Sequence, residues 1–125
     1  MRRVDGRLIL SATDLTKHVA CPHVTTLDLI DLDPTPTLLA PQPKGPDDAL
    51  ALVFAKGLEH ERAYLSRLRD EGREVVTIDG FGAKAAAQTL VAMRAGADVI
   101  YQACLAHGAW LGYADFLLRV DTPGA

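Results

Sequence analysis

Asp98–Val120, DVIYQACLAHGAWLGYADFLLRV, is the stretch on which the fold turns. Two runs rich in Val, Ile, Tyr, Leu and Phe flank the short break Ala106-His107-Gly108-Ala109. That pattern predicts a β-hairpin whose second strand runs from Trp110 to Val120. Alternation along the strand puts Leu111, Tyr113, Asp115, Leu117 and Arg119 on one face, and Trp110, Gly112, Ala114, Phe116, Leu118 and Val120 on the other. Asp115 is thus an acid inside a strand, where Asp is depleted. If partly buried, its carboxylate needs a cation, a donor or a metal beside it; at a solvated edge it needs none of these.

Working back from the hairpin, Gly96 closes a helix expected over Ala83–Ala95. Its interior Ala85-Ala86-Ala87 is small enough for close packing on a sheet, and Leu90 and Met93 are its larger apolar contacts. Arg73–Ile78 reads as a short strand, followed by the turn Asp79-Gly80-Phe81-Gly82. A long helix precedes it, from Ala49 to about Glu71, capped by Asp47 or Asp48 and stopped by Gly72. Leu50, Val53, Phe54, Leu58, Tyr64, Leu65 and Leu68 give that helix one apolar stripe at steps of three and four. Glu61 falls within the stripe and His60 along its edge, which places a His-Glu pair on the inward side. Polar groups there cost about 1–3 kcal/mol each if unpaired.

Asp33–Asp48 holds five of the seven prolines and reads as an extended, mobile loop. Ahead of it, Thr25–Leu32 is a weak helical turn. Ser11 reads as the N-cap of a helix, with Asp14 in the place of the usual capping-box Glu, and Pro22 should end that helix near Cys21. Leu8–Leu10 is a short apolar run. The order α, long α–β–α–β–β predicts an α/β domain with a mixed sheet flanked by helices.

Composition excludes little beyond the membrane. The chain has 125 residues, 49% apolar and 23% charged, with a formal net charge of −3. No apolar run approaches the ~20 residues of a membrane span. The apolar segment after Arg2 and Arg3 is too short for a signal-peptide core, so a cytoplasmic location is expected. Cys21 and Cys104 are then expected to stay reduced or to bind metal rather than pair. There is no GxxxxGK[ST], GxGxxG or G-x-S-x-G pattern, so neither a phosphate cradle nor a serine nucleophile has support. A strand followed only by Asp121-Thr122-Pro123-Gly124-Ala125 is expected to need further chain to cover it.

Two constellations could carry chemistry. A divalent cation that cleaves phosphodiesters needs hard oxygen ligands, often with an imidazole, on rigid elements. His60 from a helix and Asp115 from a strand beneath it would supply two. The bland alternative is a satisfied core histidine and an edge aspartate. The second constellation is Cys21-Pro22-His23, but without a CxxC, and with no His or Cys at ligand spacing from Cys104, the lone cysteine suits a small buried hydrophobe better than a complete zinc or cluster site.

Ser11-Ala12-Thr13-Asp14-Leu15 leading to Cys21-Pro22-His23, then Gly57-Leu58-Glu59-His60-Glu61, then Ala97–Ala103 and Gly112-Tyr113-Ala114-Asp115-Phe116-Leu117, stand in a telling order. Together they resemble RecB-like nucleases of the PD-(D/E)XK superfamily, in the iron–sulfur branch related to CRISPR-associated exonucleases and often fused to a helicase. The resemblance covers nearly the whole chain and implies an incomplete restriction-endonuclease-like core over 1–125, the N-terminal part of such a domain. It implies His60 and Asp115 as catalytic ligands of Mg²⁺ or Mn²⁺, and Cys21 as one of four thiolates of a [4Fe–4S] cluster. Glu61 would be structural, bonding nearby backbone or a basic side chain. The implied partners are DNA, single-stranded or at ends, the C-terminal nuclease segment, and a helicase domain; no membrane is implied. The family's E-x-K strand and later cysteines do not follow Asp115, so the chain alone is expected to be inactive. The alternatives are a non-catalytic nucleic-acid-binding or protein-interaction module and a purely structural α/β domain.

Overall fold

A computed structural model describes residues 1–32 and 48–122. The predicted proline-rich loop lies outside the described residues, apart from Asp48. The described chain divides into two compact units: residues 1–32 with 105–112, and residues 48–104 with 113–122.

The first unit opens with an antiparallel pair, β1 (Arg2–Val4) and β2 (Arg7–Ile9), in the register Arg2↔Ile9, Arg3↔Leu8, Val4↔Arg7. Asp5 and Gly6 form its turn, with φ of 48° and 75°. A two-residue hairpin of this hand needs left-handed backbone at both positions, which Asp-Gly tolerates. The apolar run at Leu8–Leu10 was the only element expected here, so the hairpin is an addition. Helix α1 (Ala12–Ala20) starts at the predicted Ser11–Asp14 capping box and stops before Cys21. Helix α2 (Pro22–Asp31) is longer than the turn expected from Thr25, because Pro22 sits at the first helical position, where its fixed φ is favourable. A Lys17–Asp28 ion pair of 3.0 Å and a His18–Thr25 hydrogen bond of 3.0 Å tie the two helices. Leu10 donates its N–H to the Ala109 carbonyl and accepts from Leu111, both at 2.8 Å.

The second unit holds α3 (Asp48–Asp70), β3 (Val75–Thr77), α4 (Gly82–Ala95), β4 (Val99–His107) and β5 (Trp110–Leu118), the tip of the β4–β5 hairpin belonging to the first unit. The strands form a mixed sheet in the order β3-β4-β5, with β3 and β4 parallel in the register Val75↔Val99. The fold is therefore mixed α/β, and β5 ends at Leu118 rather than Val120. Strand β4 is central, and Val99, Ile100, Ala103 and Cys104 on it are all buried. Ala85, Thr89 and Ala92 of α4 are buried with them, small side chains that let helix approach sheet closely. Gly96, at φ 79°, closes α4.

The apolar stripe of α3 departs from expectation. Only Leu68 is buried, and Glu61, Tyr64 and Leu65 are half-buried, whereas Leu50, Val53, Phe54 and Leu58 are exposed. A 23-residue helix spans about 35 Å. A described sheet of three strands, one of them three residues long, does not cover that length. No helix among the described residues is long and apolar enough to cross a membrane.

Candidate functional site

The middle of α3 and the middle of β5 border an open groove of about 730 Å³ whose lining includes His60, Glu61, Tyr64, Asp115 and Phe116. Both sequence-predicted ligands thus reach one groove, His60 from the helix and Asp115 from the strand. Both are exposed. The partial burial considered for Asp115 is not found: water solvates its carboxylate, so desolvation does not oblige it to have a partner.

Glu61 behaves differently. It is half-buried, and a single carboxylate oxygen, Oε1, accepts two hydrogen bonds of 2.6 Å, from the Tyr101 hydroxyl and from Gln102 Nε2. Its partners are therefore a phenol and an amide on β4, not the backbone or basic side chain expected. The bond to Glu61 pushes the Tyr101 phenol above its ordinary pKa of 10, with burial and the charges of Glu61 and Asp115 acting in the same direction against a smaller opposing bond to Gln102. Tyr101 therefore stays protonated and keeps donating.

Gln102 carries the sharpest backbone feature, a φ of 58° inside a strand. Left-handed backbone at a residue other than glycine costs of order 1–3 kcal/mol and persists only where surrounding contacts impose it. Here those contacts are the Glu61 bond on one side and, two residues on, the Cys104 N–H bound to Thr89 Oγ1 at 3.0 Å. Around the groove, Phe116 stands edge-on to Tyr64 (ring centroids 4.8 Å apart, 88°) and lies 5.2 Å from Tyr101. Arg67 lies 4.8 Å over the Tyr64 ring. Gly57, one turn before His60 and Glu61, borders the groove with nothing within 4 Å of where a Cβ would stand.

Tyr101 and Gln102 were not singled out as site residues by sequence reasoning. The available signal was the one that marked Asp115: a polar side chain inside an otherwise apolar strand.

The donor chemistry of the groove suits a hard cation. Mg²⁺ and Mn²⁺ favour oxygen ligands, Mn²⁺ takes an imidazole more readily than the harder Mg²⁺, and Mg²⁺ commonly keeps several waters beside one or two carboxylates. One imidazole and one solvated carboxylate fit such a water-rich site. Among the described residues no three His, Cys, Asp or Glu side chains gather closely enough to hold an ion by themselves. A four-thiolate cluster does not fit the two cysteines of this chain. Cys21 is exposed at the start of α2, not the buried hydrophobe of the bland reading, whereas Cys104 is buried with its thiol 3.6 Å from the Gly82 carbonyl. Comparison with family models, with curated proteins and with solved structures returned no match.

Proposed function

We propose that this chain is the N-terminal portion of a metal-dependent DNA nuclease with a PD-(D/E)XK-type core, in which His60 and Asp115 bind Mg²⁺ or Mn²⁺. What supports the reading is that these two residues, 55 positions apart in sequence, line one groove. A bound divalent cation would supply Lewis acidity and a more acidic water for phosphodiester hydrolysis. The chain's own share is to present an imidazole and a carboxylate on a helix and a strand that β4 holds together. Aromatic rings at Tyr64 and Phe116 give the groove an apolar wall beside those polar groups. Within this reading Cys21 is an accessible thiol for a cluster whose other three ligands come from elsewhere. A third carboxylate and a lysine would likewise have to be contributed by a further strand, so the chain alone is expected to bind metal and not to cut.

The test is titration of the 125-residue chain with Mn²⁺, following the electron paramagnetic resonance of the free ion, beside His60→Ala and Asp115→Ala. One site lost in both variants is the expected result. Absence of that site, or its persistence in Asp115→Ala, overturns the assignment. DNA binding by the chain with no metal dependence would favour the non-catalytic nucleic-acid-binding module instead. Metal-dependent cleavage by the wild-type chain, lost in Asp115→Ala, would overturn the inactivity while keeping the site.

A further inference from the structure

Each candidate ligand is followed in sequence by an anchored residue, and the two anchors meet on one side chain. Glu61 follows His60 and accepts the Tyr101 hydroxyl at 2.6 Å. Phe116 follows Asp115 and packs its ring 5.2 Å from the Tyr101 ring. Tyr101 itself stands on the central strand β4, beside the left-handed Gln102, whose amide donates to the same Glu61 oxygen. On a helix, adjacent residues are about 100° apart, so pinning Glu61 fixes the direction in which His60 leaves α3. Asp115 borders the same groove as its neighbour Phe116, so the ring contacts that seat Phe116 also hold this stretch of β5 beside α3.

We propose that Glu61 and Tyr101 are positioning residues for the cation site: their hydrogen bond sets the separation of His60 from Asp115, and Glu61 does not itself ligate the ion. This rests on the metal reading above. Both donors converge on Oε1, so what positions α3 is an acceptor oxygen and not a negative charge. An amide oxygen at the same place can accept both bonds.

The substitutions Glu61→Gln, Glu61→Ala and Tyr101→Phe separate the possibilities, read as the Mn²⁺ dissociation constant of each folded chain, with a urea midpoint measured alongside. Removing a group that orients a ligand weakens metal binding by about 10- to 100-fold. The expected result is a loss of that order in Glu61→Ala, a smaller loss in Tyr101→Phe, which keeps the ring against Phe116, and affinity within about threefold of wild type in Glu61→Gln. Equal losses in Glu61→Gln and Glu61→Ala would overturn the proposal, because Glu61 would then act through its charge or as a ligand. Wild-type affinity in Glu61→Ala or Tyr101→Phe would overturn it too. Should Glu61→Ala not fold, Glu61→Gln and Tyr101→Phe decide alone: affinity lost in the first or unchanged in the second overturns it. A wild-type chain that binds no Mn²⁺ removes the metal reading itself and this proposal with it, an outcome distinct from a wild-type site that is indifferent to Glu61 and Tyr101.

Discussion

Replacing Thr89 by valine should loosen the second unit although the two side chains have nearly the same shape. Thr89 is 1% exposed on α4. Its hydroxyl donates to the Ala85 carbonyl and accepts the Cys104 N–H, both at 3.0 Å. The Ala85 carbonyl keeps its helical N–H when the hydroxyl goes, so little is lost there. The Cys104 amide, on a buried residue of the central strand, is left without its acceptor, and an unsatisfied buried donor costs about 1–3 kcal/mol. Thr89→Ser keeps both bonds and deletes one methyl group, worth about 1 kcal/mol. Urea unfolding should therefore rank wild type above Thr89→Ser and Thr89→Ser above Thr89→Val. With m near 1–3 kcal/mol/M, the valine variant's midpoint should fall by roughly 1 M. Hydrogen exchange gives the local readout: the Cys104 amide should lose protection in Thr89→Val and keep it in Thr89→Ser. A valine variant as stable as the serine one, or a Cys104 amide still protected in it, would refute the reasoning. The result also bears on the groove, because Cys104 lies two residues beyond the left-handed Gln102.

Burial of Asp14 would raise its pKa, but hydrogen bonds from the N-terminal ammonium and from the Ser11 hydroxyl and N–H outweigh it and hold the carboxyl at about 2, against an ordinary 3.8. A carboxyl depressed on folding stabilises the fold above its unfolded pKa, so the first unit should keep about 2 kcal/mol from this group above pH 4 and lose it between pH 4 and 2; an Asp14→Asn variant whose stability falls just as steeply over that range would count against this. Gly57→Ala should stabilise α3 by about 0.5–1 kcal/mol, since the position is helical and open, with nothing for a Cβ to strike; a lower melting temperature in the variant would contradict it. Phe116→Leu should cost roughly 0.5–1.5 kcal/mol beyond the area lost, by removing the edge-on contact to Tyr64 and the tilted one to Tyr101, and Tyr64→Leu in the same background should then cost less than it does alone; additive losses would show that the rings do not interact.

Local chemistry makes part of this legible in the sequence. Ser11 with Asp14 announces a helix start because both side chains satisfy backbone donors within three residues, and Gly96 announces a stop because left-handed backbone is cheapest in glycine. The β4–β5 hairpin follows from two apolar runs and Gly108, at φ 58°. The Asp5-Gly6 turn carried an equally local signal, but strands of three residues with Arg2, Arg3 and Arg7 lack the apolar alternation that would flag them. Where a property depends on residues far along the chain, the sequence was silent. Periodicity marks one stripe on α3 from Leu50 to Leu68, and cannot tell that Leu68 is 2% exposed while Val53 and Phe54 are 65% and 63% exposed. Glu61 meets donors 40 and 41 positions away, and the conformation of Gln102 that delivers one of them is unusual for its residue type. Residue type pairs His60 with Asp115 as candidate ligands of one ion, but it carries no sign of the Tyr101-centred junction between α3 and β5. A junction of that kind is set by packing across the central strand, and so becomes visible only when the strand is placed.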